Sequence, residues 1–104
     1  MDSLALKLPA RLRMDDVSVV WSRLEASLRA EAAQIRNGAG ERLLLSAAEL
    51  SDFDSSALSV LLGAARICAA ESLRLEVDAA PRSLQDLARV YGVGELLGLQ
   101  AAGT

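Results

Sequence analysis

The segment Ser51-Asp52-Phe53-Asp54-Ser55-Ser56-Ala57-Leu58 decides how the rest of the chain is read. It joins the apolar run Leu43-Leu44-Leu45 to the series Leu58, Leu61, Leu62, Ala65 and Cys68, which falls on one face of a helix. Asp and Ser immediately ahead of such a series are the residue types that cap a helix, because their oxygens accept from amides the first turn leaves unpaired. A partial positive charge gathers at the same end. The spacing predicts a helix from about Ser55 to Ala70 with Ser55 as a cap, and a hydroxyl exposed there can also dock a partner or accept a phosphate. Gly63 inside it costs about 1 kcal/mol relative to Ala and marks close backbone packing.

Upstream, Leu4, Leu6 and Leu8 alternate with Ala5 and Lys7 as in a half-buried strand, which Pro9 ends. Residues 11–13 fit either an edge strand or a connection. Val17, Val20, Trp21, Leu24, Leu28, Ala32 and Ile35 recur at helical spacing from about Met14 onward, with Asp15 and Asp16 in the first turn and Asn37-Gly38 as the stop. Trp21 sits within that stripe and is read as core. The run Arg42 to Ser46 is continuously apolar at its centre, which predicts a strand buried on both faces.

Downstream, Leu73, Leu75 and Val77 alternate with Arg74 and Glu76, giving a strand with one wet face. Pro81 suits the first position of a helix striped by Leu84, Leu87, Ala88 and Tyr91, and Gly92-Val93 fits a Schellman ending. Tyr91 is read as packing with its hydroxyl at the rim. Residues 95–99 add a short turn, and 100–104 read as a frayed end. Alternation of strands and helices favours parallel pairing through right-handed crossovers.

Composition narrows the function. A chain of 104 residues suits one domain, and a 52% hydrophobic content with only one Trp, one Tyr and one Phe builds the core from Leu, Ala and Val. The net charge of −3, with scattered basic residues, gives no concentrated surface for nucleic acid. The absence of His removes the commonest general base and zinc ligand, and no Gly-x-x-x-x-Gly-Lys loop is present. The paired carboxylates Asp52 and Asp54 lack the further ligands that a Mg²⁺ or acid/base site needs, so no catalytic residue, metal or cofactor is assigned. Cys68 is read as a small core residue. Neither a signal peptide nor a membrane span is recognised, which points to a cytoplasmic protein.

Asp54-Ser55-Ser56-Ala57-Leu58, after a strand and at a helix start, resembles the signature of the STAS domain family, with Ala57 where that family commonly has Gly. Ser83 to Val93 is similar to the closing helix of the same domain, and the resemblance spans about residues 4–99. It implies an α/β fold with a single small mixed sheet of about four strands packed against three to four helices. Within the family, the Leu-Ala-x-x-Tyr-Gly-Val ending at Leu87 to Val93 looks most like the MlaB-like group, non-enzymatic subunits that bind the ATPase of a phospholipid-transport ABC complex and reach the inner membrane only through it. The alternative implied is an anti-sigma-factor antagonist whose serine, here Ser55, is phosphorylated by a partner kinase. Under either, Ser55 is the partner-binding residue, with Asp52, Asp54, Ser56 and Leu58 as the supporting surface. A phosphate on Ser55 would add about −1.5 to −2 charges beside two aspartates and disfavour a partner fitted to a neutral hydroxyl.

Overall fold

The structure is a computed structural model that describes residues 6–35 and 42–101. In chain order the strands and helices are β1 (Leu6–Lys7), β2 (Arg11–Leu12), α1 (Val17–Ile35), β3 (Arg42–Ser46), β4 (Asp52–Phe53), α2 (Ser56–Ala70), β5 (Arg74–Ala80), α3 (Arg82–Val90), α4 (Gly94–Leu97) and β6 (Leu99–Ala101). A 3-10 turn, Met14–Asp16, leads into α1. The stop expected at Asn37-Gly38 lies outside the described residues.

The main sheet has the order β1-β3-β5-β6, and a separate two-stranded ladder pairs β2 with β4. Every described pairing is parallel. The α/β fold implied by the resemblance is present, with four strands in the main sheet and four helices among the described residues, but the described pairings are parallel throughout rather than mixed. The reason is connectivity: α1 carries the chain from the first strands to β3, α2 from β3 and β4 to β5, and a helical crossover returns the next strand in the same direction. Residues 11–13, left open by the sequence, supply the partner of β4 through Arg11↔Asp52 and Leu12↔Phe53.

Alternation sets the two faces of the main sheet. Leu43 and Leu45 of β3 are in register with Leu75 and Val77 of β5, and all four are buried beneath the helices. The intervening residues Arg42, Leu44, Arg74 and Asp78 point the other way and are exposed. The expectation that β3 is buried on both faces is thus overturned, since Leu44 is 52% exposed. A run of three leucines has no alternation to read, and the helices cover one side only.

The core is wholly apolar. It gathers Leu8, Leu12, Leu28, Leu61, Leu84 and Leu97 with the sheet leucines, and no polar or charged side chain is buried among the described residues. Cys68 is 1% exposed, and burial pushes its thiol up to about 11, away from reactivity. Trp21 packs at the edge of the core with its ring across Gly63. A β-carbon added at Gly63 would lie 2.7 Å from the indole, so the glycine is what admits the ring.

Helix ends follow their sequence signals in most places. Gly92 lies at φ +72°, its N–H donates to the Arg89 carbonyl at 3.0 Å and the Val93 N–H to the Ala88 carbonyl at 2.9 Å, which is the Schellman pattern expected for α3. Pro81 stands one position earlier than predicted, in extended conformation outside the helix. Tyr91 is 58% exposed rather than packed. The end read as frayed contributes Gln100 and Ala101 to β6 beside β5, with an irregular register between Val77 and Ala80 where Ala79 takes φ +57°.

Candidate functional site

The corner expected to carry the function is built by two segments far apart in sequence. Its floor is the β2–β4 ladder. The amides of Ser51 and Asp52 both donate to the Ala10 carbonyl at 2.9 Å, and this closes the ladder at the end where the chain enters β4. Phe53 and Leu12 then face inward, Leu12 fully buried, while Asp52 and Arg11 face solvent. The chain turns at Asp54 and Ser55 and enters α2 at Ser56.

Asp54 is the organising residue of this corner. One carboxylate oxygen, Oδ1, accepts from the Ser56 N–H at 2.9 Å, and the other, Oδ2, accepts from the Met14 N–H at 3.2 Å. A single side chain thus caps the start of α2 and ties it to the turn ahead of α1. The Ser56 amide, and to a smaller degree that of Met14, holds the Asp54 carboxyl below the ordinary aspartate range. Ser55 is not the cap that the sequence suggested: its backbone is already helical, at φ −63° and ψ −13°, and its side chain makes no capping hydrogen bond. The preceding carboxylate wins because an ionised acceptor forms the stronger bond to a backbone amide. The outcome leaves Ser55 exposed, with its hydroxyl uncommitted to the cap.

Charged side chains from β2 and the following turn complete the corner. Arg13 donates through Nη1 to Asp52 Oδ1 at 2.6 Å, a bond that raises the guanidinium pKa further. Arg11 lies 3.7 Å from Asp52 Oδ2 and donates to Asp16 Oδ1 at 3.2 Å. The second oxygen of Asp16 accepts from the Arg13 N–H at 2.9 Å. Exposed ion pairs of this kind contribute little to stability, and their effect here is to fix the shape and charge of a surface.

The residues proposed from sequence divide clearly. Ser55 and Asp52 are exposed, and Asp54 and Ser56 are half-buried in the turn they define. Leu58, expected to support the partner surface, is only 4% exposed and belongs to the core, because two residues into α2 the helix face has already rotated inward. Ala57, standing where a glycine was noted as usual, is fully buried. Sequence reasoning missed Arg11, Arg13, Asp16 and Met14. Met14 is 73% exposed and its amide is held by Asp54, so an apolar side chain projects at the same corner. Only the pairing of β2 with β4 brings these residues to the site, and no local pattern announces that pairing.

Asp52 is occupied by arginines and Asp54 by amides, so neither stands ready as a general base. No group of three or more His, Cys, Asp or Glu side chains that could hold a metal ion occurs among the described residues. No helix among them is long and apolar enough to cross a membrane.

Residues 2–98 match the family model described as "Mlab, STAS domain", and the chain belongs to that MlaB-like STAS domain family. Proteins with this domain are generally interaction modules that act through protein–protein contacts rather than catalysis. No curated protein matches the chain.

Proposed function

We propose that this chain is a non-enzymatic subunit that docks, through the corner around Ser55, on the ATPase of a phospholipid-transport ABC complex and supports that complex's assembly and activity. The observation that carries the reading is the state of Ser55: it is exposed and makes no capping bond, while Asp54 fixes the turn beneath it at both carboxylate oxygens. A rigid, uncommitted hydroxyl beside an exposed methionine and a fixed arginine–aspartate array suits protein recognition. It offers hydrogen bonding and apolar contact with little ordering cost on binding. Asp52, Asp54 and Ser56 support this surface, and Leu58 supports it only from within, as core.

The same exposed hydroxyl favours a second reading, an anti-sigma-factor antagonist switched by phosphorylation of Ser55. The two separate by partner. Affinity purification of the native protein is expected to recover an ABC ATPase; recovery of a serine kinase of the anti-sigma type would replace the first reading by the second. With the purified ATPase, Ser55→Asp is expected to weaken binding by at least about tenfold in calorimetry, since a desolvated contact at the centre of an interface is worth that much. Unchanged affinity would remove Ser55 from the contact.

A further inference from the structure

We propose that the open face of the main sheet is a self-association surface, on which a second copy of this chain docks face to face about a two-fold axis. Purely parallel sheets are covered on both faces in almost every protein that has one. Here the face made by Arg42, Leu44, Arg74, Glu76 and Asp78 has no cover among the described residues, and Leu44 at its centre is 52% exposed.

The charge pattern on this face says what fits. Arg74 and Asp78 lie on one strand, four residues apart and pointing the same way, and neither forms an ion pair with another described residue. Arg42 is already satisfied by Glu76, its Nε lying 3.4 Å from Oε1. A two-fold axis between two such faces, running across the strands at the level of Leu44 and Glu76, sets β5 against its copy in the opposite direction. Arg74 then lies over the partner's Asp78 and Asp78 over the partner's Arg74, while Leu44 and Glu76 each meet their own copy near the axis, the charge of Glu76 being offset by Arg42 of its own chain. The contact is self-complementary, as a two-fold interface requires. Stacked sheets stand about 10 Å apart, a gap that an arginine and an aspartate reaching toward each other span.

The size of the face sets the strength. Strands of two, five, seven and three residues, at about 3.3 Å per residue and about 4.8 Å apart, cover roughly 270 Å² per copy, against the ~800 Å² per partner of an ordinary stable complex. The dimer is therefore a transient one, with a dissociation constant on the order of 0.1–1 mM.

Sedimentation equilibrium of the full chain tests this. Between about 10 µM and 1 mM the average mass should rise toward that of a dimer, and added salt should reverse the rise. Arg74→Asp and Asp78→Arg, both at exposed positions, should each stay monomeric, with far-UV circular dichroism confirming that the fold is kept. Mixed in equal amounts, the two variants should associate again, because each supplies the charge the other lacks. Leu44→Ser should also abolish association. A monomeric mass at every concentration, single charge variants that associate as the parent does, or a mixture that stays monomeric would each overturn the proposal.

Discussion

Replacing Gly63 by alanine sets two known effects against each other at one position. Alanine is favoured over glycine in a helix interior by about 1 kcal/mol. Against this, the added β-carbon would lie 2.7, 3.0 and 3.1 Å from three atoms of the Trp21 ring, all inside normal contact. Forcing one methyl into a filled site costs about 1–3 kcal/mol. The indole is rigid, but it sits at the edge of the core, so partial displacement keeps the cost toward the lower half of that range. Gly63→Ala should then leave the protein destabilised by about 0–1 kcal/mol. The decisive comparison is the same substitution in a Trp21→Leu background, where no ring crosses the glycine and alanine should stabilise by about 1 kcal/mol. Urea titrations followed by circular dichroism give all four stabilities of the cycle, and fluorescence of the single tryptophan reports the ring's displacement directly. A gain of about 1 kcal/mol in both backgrounds would refute the reasoning, because it would mean that the ring is not held against the helix.

Three further outcomes follow from backbone and charge. Ser72 closes α2 in left-handed conformation at φ +61°, the place where glycine carries no penalty, so Ser72→Gly should stabilise by about 1 kcal/mol and raise the melting temperature by roughly 4–8 °C. Gly98 lies at φ +60°, and a β-carbon there would run into the Leu75 carbonyl oxygen; Gly98→Ala should cost about 2–4 kcal/mol in chemical denaturation and loosen β6 from β5. Because backbone amides hold the Asp54 carboxyl below its ordinary value, its stabilisation is complete above the usual aspartate range, near pH 4, and lost as pH falls through the lower folded value. Melts of the parent and of Asp54→Asn should differ at neutral pH and converge in acid, and a constant gap down to pH ~2 would show that the charge of Asp54 has no part in the cap.

What the sequence revealed and what it hid have separate physical causes. Period-two and period-3.6 patterns report one buried face each, so α1, α2, α3 and β5 were legible from Val17, Leu61, Leu84 and Leu75 and their neighbours. Leu43-Leu44-Leu45 carries no period, and its single-sided burial was decided by where the helices lie, which is a tertiary fact. At the site, the residue types were legible but not their division of labour. Asp54 and Ser55 are both good caps by type, and the choice between them depends on Met14, forty residues away, whose amide occupies the second carboxylate oxygen and holds Asp54 in capping position. Once Asp54 does the capping, Ser55 is relieved of it. The exposure of the Ser55 hydroxyl is therefore set by a contact that lies outside its own sequence neighbourhood, the bond from the Met14 amide to Asp54. The exposed hydroxyl is thus held available by the β2–β4 ladder and the turn that follows it, and if the proposed docking through Ser55 holds, stabilising that ladder should strengthen it without touching the contact itself.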